Sequence, residues 1–427
     1  MTNTTDRETA NARHRPKRTR GAWAATVLLT AVLALGGCAV PDTTAPESAA
    51  ATSSASETTG SGDTSSATTG ETIADTASAA RALMATLSDE QREQLVYAYD
   101  DEAKTTTWSN FPVTFVDRAG LNLEDLDEEQ RAAAMEVLQA LLSGEGYETV
   151  TDIMGGDEFL LENSSSTEDS LGQYYIAFFG APSDSGAWEV QFGGHHLGVN
   201  ATLDGADDSI TFAPTHLGSQ PAVYTDEEGE DVQPLANMYE TAFAFYDSLT
   251  EEQRAELYQG SEVGDLSCAP GDTCSYPTAT GISGADLSGE QRRLLLDVVA
   301  NWVGLSDEET TAESLAEVEA TLDETYVNWS GATEYDMTRG EGIHFQVSGP
   351  NVYAEFSNQR GSAGADVDGY TTAGWGHVHT IYRDPSNDYA GSATQQESSG
   401  TGGPGGGTPP SGEVPSGGPN GGPPAGG

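Results

Sequence analysis

The sequence predicts an α+β fold of two pseudo-symmetric halves, each a helix pair with Glu-Gln-Arg starts followed by β-strands, the two packed as one unit. Three observations carry this expectation. The tripeptide Glu-Gln-Arg occurs four times, at Glu90–Arg92, Glu129–Arg131, Glu252–Arg254 and Glu290–Arg292, spaced 39 residues apart in the first half and 38 in the second. The second and fourth copies belong to a longer match at a constant offset of 161, in which Gly120-Leu121, Asp125-Leu126 and Glu129-Gln130-Arg131 fall on Gly281-Ile282, Asp286-Leu287 and Glu290-Gln291-Arg292. Strand-like runs follow each helix pair, and self-similarity at a fixed offset is the mark of an internal repeat.

Along the chain, residues 1–37 read as a lipoprotein signal peptide. Six basic side chains (Arg7, Arg13, Arg15, Lys17, Arg18 and Arg20) precede an apolar run from Ala22 to Leu35. A basic start, a short apolar stretch and small residues before the cut define a secretory leader. The ending Leu35-Gly36-Gly37-Cys38 resembles the bacterial lipobox, whose cysteine is diacylated and becomes the first mature residue. The apolar run is too short for a spanning helix, which takes about 20 residues. Residues 38–78 are rich in Ser, Thr, Ala and Gly and read as a flexible tether. The first α+β half is assigned to 79–224 and the second to 225–390, with the polar stretch Thr225–Asp231 as the junction. Residues 391–427, rich in Gly, Pro and Ser, read as a disordered tail.

Each Glu-Gln-Arg copy reads as a helix start. A Ser, Thr or Asp stands three residues before the Gln, placed to cap the first exposed amides. Ala134, Val137, Leu138, Leu141 and Leu142 keep helical spacing after the second copy, as do Leu294, Leu295, Val298, Val299 and Trp302 after the fourth. The repetition assigns the tripeptide to structure, its Arg bonding a carboxylate or a strand-end carbonyl. Strands are expected at Tyr174–Phe179, Trp188–Leu203 and Ser209–Phe212, then at Thr325–Trp329, Ile343–Val347, Val352–Phe356 and His377–Tyr382.

Charge excludes some functions. The chain carries 17 basic and 68 acidic residues; without the leader the balance is 11 against 66, a net charge of −55. Nucleic-acid binding requires a basic surface, so no nucleic-acid partner is expected. Membrane association is expected through the lipid on Cys38, at the outer face of the cell membrane. Export permits disulfides, and Cys268 and Cys274 are the remaining pair, expected to close a short local bridge.

Six histidines remain after the leader, and four form two tight pairs, His195-His196 and His377-x-His379. Residues two apart on a strand share a face, so His377 and His379 point together. Adjacent His195 and His196 point apart unless Gly193-Gly194 bends the chain. Several imidazoles and a carboxylate suit a divalent transition metal such as zinc, copper, iron or manganese. Glu355 and Asn200, polar residues in apolar strands, fall on one another when Gln191-x-x-Gly194 is aligned with Gln346-x-x-Gly349. Glu355 is assigned as a ligand or general base; Asn200, Trp188, Trp329 and Arg383 are assigned to a substrate pocket, with Trp375 a further wall. Arg383 would hold an anionic substrate or pair with Asp384, the pairing being favoured. Asp384 and Asp388 would orient a histidine ring. His216 and His344 read as structural, His344 being the better placed to join the site. Ordinary histidines satisfied by backbone remain the alternative throughout. No nucleophile elbow, His-Glu-x-x-His helix, phosphate loop or dinucleotide fingerprint is present.

At these residues the chain resembles the Domain of Unknown Function 3500 family. The resembling segments are Trp108-Ser-Asn-Phe-Pro112, Leu142-Ser-Gly-Glu-Gly-Tyr147, Tyr174–Pro182, Gln191-Phe-Gly-Gly-His-His-Leu197, Gly349-Pro350, Glu355-Phe356 and His377-x-His-Thr-x-Tyr-Arg-Asp-Pro385. The resemblance spans Arg81 to Tyr389 and implies no particular reaction; the acidic insertions and the Cys268–Cys274 loop depart from it. Three functional readings stay open: a lipid-anchored metal-dependent hydrolase in which a bound water attacks a carbonyl or phosphoryl centre, a non-catalytic metal- or solute-binding lipoprotein, and a surface interaction protein with structural histidines.

Overall fold

A computed structural model describes residues 67–396 except 166–170, 261–263, 275–278, 341 and 361–365. The leader, Cys38, most of the proposed tether and the tail beyond residue 396 lie outside the described residues.

The first segment runs through α1 (Thr69–Thr86), α2 (Asp89–Leu95), β1 (Val96–Tyr97), α3 (Ala103–Thr106), β2 (Leu121–Asn122), α4 (Glu128–Leu141) and α5 (Gly144–Asn163). Strands β3 (Tyr175–Phe179), β4 (Ala187–Gly193), β5 (Leu197–Asp204), β6 (Ser209–Thr211) and β7 (Thr215–Ser219) follow, then the small hairpin β8 (Tyr224–Thr225) and β9 (Asp231–Val232). The second segment has α6 (Ala236–Ser248), α7 (Glu251–Leu257), β10 (Ile282–Ser283), α8 (Gly289–Val303), α9 (Glu308–Ala320), β11 (Tyr326–Gly331), β12 (Ile343–Ser348), β13 (Tyr353–Gln359) and β14 (Gly374–Arg383). The class is α+β. Each segment carries four helices of seven residues or more among the described residues, two beyond the expected pair.

Helix α1 begins at Thr69, inside the stretch read as tether. Thr68 and Glu71 form a reciprocal cap, and Ile73, Ala77, Ala80 and Leu83 are buried at helical spacing. The buried positions also include Thr69, Thr72 and Thr76, so small and hydroxylated residues masked the stripe.

All four Glu-Gln-Arg copies start helices in the same way. Ser88, Asp127, Thr250 and Ser288 cap α2, α4, α7 and α8, each closing a capping box with the Gln three residues on. The same glutamines then bridge neighbouring helices: Gln91 and Gln130 exchange hydrogen bonds at 3.2 Å, and Gln253 and Gln291 do so at 3.1 and 2.8 Å. The arginines bind carbonyls of the turn or helix end before each copy, Arg92 on Met84 and Arg254 on Tyr246, rather than strand-end carbonyls.

Among the described residues one sheet of 12 strands runs β1-β3-β4-β5-β7-β14-β13-β12-β11-β10, with β2 on β3 and β6 on β5. Among the named strands of the described residues only β1–β3 pair in parallel, and β7 pairs with β14 to join strands of both segments. Alternation along each strand makes two unlike faces. One is apolar, with Val190, Phe192, Val199, Phe345, Phe356 and Val378 in the main core. Helices cover it: Trp302 of α8 donates to Thr380 Oγ1 at 3.0 Å, and Tyr239 of α6 meets Phe356 edge-on at 5.0 Å. Each such large apolar side chain contributes about 2–3 kcal/mol on burial. The other face is polar yet buried. It presents Glu189, Gln191, Asn200, His216, His344, Gln346, Glu355 and His379, and segments around residues 104–118, 267–272 and 389–395 cross over it. Polar side chains buried this way need partners, and four of these eight, Glu189, Gln191, Glu355 and His379, find them in the crossing segments.

Candidate metal centre

Five of the six histidines among the described residues meet on the polar face where β7 and β14 pair. The expected strand Trp188–Leu203 is broken by a turn: Gly193 ends β4, Leu197 starts β5, and Gly194 N–H donates to the Leu197 carbonyl at 2.8 Å. This turn brings the His195 and His196 rings to the same side, stacked with centroids 4.1 Å apart and planes 18° from parallel. Glycine is required at the bend, since a Cβ on Gly193 would lie 2.2 Å from the Leu197 carbonyl oxygen. The Gly218 amide of β7 donates to the His196 carbonyl at 2.7 Å and fixes the turn against the sheet.

On β14, His377 and His379 share a side, with their Nε2 atoms 3.2 Å apart. Two nitrogens bound at about 2.05 Å to a tetrahedral zinc stand roughly 3.3 Å apart, so this spacing suits a shared ion. His379 lies opposite Gly218 of β7, and its ring is 5.5 Å from His196 and 5.3 Å from His216. Ring nitrogens of His195, His196 and His379 all lie within 4.8 Å of one another.

The partners behind the rings set their tautomers. Asp157 of α5 accepts from His196 Nδ1 at 2.6 Å and from the Tyr174 hydroxyl at 2.8 Å. In the neutral ring His196 Nε2 carries the lone pair, and this atom is buried without a hydrogen-bond partner. A carboxylate behind a histidine is the usual outer support of a metal ligand. The Asn110 Nδ2 stands 3.1 Å from His379 Nδ1 while its Oδ1 is buried without a hydrogen-bond partner; the amide turned over would accept from Nδ1 and leave Nε2 as the ligand atom. Burial pushes the His379 imidazole well below its ordinary pKa, with the neighbouring histidines adding to the shift, and burial pushes His216 down to about 3. Neutral rings at neutral pH are the form that binds metal. Arg118, lowered to about 10 by burial, ties the site's loops together: its guanidinium donates to the carbonyls of Gly194, Ser109 and Phe111 at 2.7–2.8 Å.

The other expected site residues lie elsewhere. Glu355 is on the same face, but its oxygens accept from His344 Nε2 (2.7 Å), Tyr353 (2.8 Å), Gln346 (3.1 Å) and the amides of Ser267 (2.7 Å) and Cys268 (3.0 Å). Burial raises its pKa, and these bonds, His344 foremost, outweigh burial and hold it below the ordinary value. It anchors the loop closed by the Cys268–Cys274 disulfide and is not grouped with the histidines. His344, expected to be the better placed of the two isolated histidines, is Glu355's partner, whereas His216 is the one whose ring packs against His379, outside the group of three. Asn200 bridges Gln191 and the Pro214 carbonyl. Trp188 and Trp329 wall no histidine pocket; both are on the helix-covered face, against Phe178 and against Phe243 and Tyr246. Trp375 packs on Tyr239 and Tyr335 in the same aromatic cluster. Arg383 is buried against the Asp272 carbonyl and Asp388, not Asp384. Asp388 is thereby engaged, and Asp384 caps its own turn through Ser386; the carboxylate that orients a histidine is Asp157. Its signal in the sequence was an acid on the apolar stripe of a helix, in line with Val150, Ile153 and Leu160.

Residues 69–391 match the model of the family described as protein of unknown function DUF3500, and the chain belongs to that family. A search of curated proteins and a search of solved structures each give no match.

Proposed function

We propose that this DUF3500 protein is an exported lipoprotein that binds a divalent transition metal through His195, His196 and His379, with His377 beside them. The observation that carries the reading is the His196 ring: its Nδ1 is committed to Asp157, and its Nε2 lone pair is buried with no hydrogen-bond donor among neighbouring imidazoles. A buried acceptor left so loses about 1–3 kcal/mol, which a bound cation would return. Nitrogen ligands without thiolate favour zinc, copper or iron over calcium or magnesium. The hydrolase reading keeps its metal but loses Glu355 as base, since five donors already occupy that carboxylate; a metal-binding role is therefore favoured over metal-assisted hydrolysis.

The anchor belongs to the same proposal, with Cys38 lipidated and the domain outside the cytoplasm, supported by the leader pattern and the acidic mature chain. So does duplication of the two segments. Its support is the matched capping boxes, the two glutamine bridges, and Gly120 and Gly281, both at positive φ (88° and 90°) one residue before β2 and β10.

Metal analysis of the purified protein beside a His377→Ala/His379→Ala double variant tests the reading. Stoichiometric metal that disappears in the variant is the expected result; no metal in either protein overturns it. Incorporation of labelled fatty acid, abolished by Cys38→Ser, tests the anchor.

A further inference from the structure

We infer that Lys104 and Glu189 become joined by an amide bond, formed within the folded chain between Lys104 Nζ and the side-chain carboxyl carbon of Glu189. The inference does not depend on the metal reading; it rests on a pair of side chains that the histidine centre leaves unused.

Lys104 is the only lysine beyond the leader, and the other Lys/Arg positions there are all arginine. Arginine suits a buried ion pair better, because its guanidinium is weakly hydrated and forks onto a carboxylate. What lysine alone offers is an amine that turns nucleophilic on losing its proton. This lone lysine lies on α3, in the segment that crosses the polar face. Its side chain and that of Glu189 on β4 are both wholly buried, with Nζ 3.6 Å from Oε2.

The surroundings favour the neutral pair. Nζ lies 3.7 Å from the centre of the Tyr99 ring, 5.9 Å from that of Phe179 and 3.2 Å from Ser392 Oγ. Thr202, opposite Glu189 on β5, donates its hydroxyl to Oε2 at 3.0 Å, whereas Oε1 is buried with no hydrogen-bond partner. A carboxylate that serves only as an anchor has donors on both oxygens, as Glu355 does on the same sheet face. Burial lowers the pKa of Lys104 and raises that of Glu189 to about 7, and both shifts favour passing the proton from nitrogen to oxygen.

The step needs no oxidant, metal or co-reactant. The ammonium gives one proton to the carboxylate, leaving a neutral amine and a carboxylic acid. The Nζ lone pair attacks the carboxyl carbon and forms the C–N bond, while the Thr202 hydroxyl stabilises the charge developing on Oε2. Nζ then releases a proton, and Oε1 departs with it and its own proton as one water. Holding the two groups together in the fold supplies the driving proximity. The product removes two buried charges and the unpartnered oxygen, keeps Thr202 on Oε2 and leaves its N–H beside Ser392 Oγ. It also pins α3 to β4, where the Gln191 amide already donates to the Lys104 carbonyl at 3.0 Å. The segment so fixed carries Asn110 and Arg118 over the histidines.

Peptide mapping of the full chain, purified, reduced and denatured, tests the bond. Cleavage after arginine places Lys104 in fragment 93–118 and Glu189 in fragment 132–254. These two are expected as one branched peptide, lighter than their sum by one water, with Lys104 unlabelled by an amine reagent in denaturant. Lys104→Arg, which keeps the charge, should yield the two fragments separately. Separate fragments and a labelled Lys104 from the wild type overturn the inference, whether or not any variant folds. So does a branch that fragmentation maps to another pair of residues.

Discussion

Replacing Asp157 by Asn isolates what the carboxylate does for the histidine centre. The change is nearly isosteric. The amide oxygen can still accept from His196 Nδ1, now 2.6 Å from Asp157 Oδ1, and the amide nitrogen faces the Tyr174 hydroxyl, which turns to accept where it now donates. Tautomer and packing are therefore retained, and only the negative charge behind the ring is lost. That charge makes His196 a stronger donor to a cation; outer-shell carboxylates of this kind are worth about 10–100-fold in metal affinity, or roughly 1–3 kcal/mol. Competitive Zn(II) titration against a chelating indicator reads the effect directly. Asp157→Ala is the companion variant. It strands the Nδ1 proton in the interior and costs about 1–3 kcal/mol of metal-free stability as well, whereas Asp157→Asn should leave urea unfolding of the metal-free protein nearly unchanged. Wild-type affinity in Asp157→Asn would refute the assignment of this carboxylate to the centre.

Three more outcomes follow from the same structure. The His216 pKa is lowered to about 3 by burial, so below pH 6.5 the unfolded chain takes up this proton first and stability is lost as pH falls; metal-free His216→Phe, lacking that step, should lose stability between pH 6 and 4 less steeply than wild type by roughly 1 kcal/mol per pH unit, and equal slopes in urea titrations would contradict it. Glu355→Gln sets an amide N–H₂ among five donors and should cost about 3 kcal/mol or more while opening the 264–274 loop to protease, with metal uptake retained; a loss below about 1 kcal/mol would show that the carboxylate is not the loop's anchor. Gly120→Ala and Gly281→Ala each place a Cβ about 2 Å from a strand carbonyl at positive φ (1.9 Å from Ile176 O and 2.0 Å from Val327 O), so both should unfold at clearly lower temperature, by more than about 2 kcal/mol, and a tolerated alanine at either position would count against the shared turn.

The polar face explains why so many site assignments made from residue type landed apart from the histidines. Asn200, Glu355 and Arg383 are indeed polar groups in buried strands, but each is held by partners outside its own strand, Asn200 by the Pro214 carbonyl just before β7, Glu355 by residues 267–268 and Arg383 by Asp272. A buried polar residue signals a partner, and nothing in one strand says whether that partner is a ligand or a loop.

Local chemistry was open to reading from the chain alone. The four helix starts depend on a cap and a Gln three residues later, and both belong to one short stretch. The common side of His377 and His379 follows from strand alternation, and the α+β class from helix and strand periodicities within short windows. Tertiary structure decided the rest. His216 meets His379 because β7 hydrogen-bonds to β14 across more than 160 residues, and Asp157 meets His196 because α5 packs beside the turn between β4 and β5. Periodicity is a property of neighbours in sequence, whereas a metal centre is assembled by strand pairing and helix docking between residues that carry no mark of one another until the sheet closes.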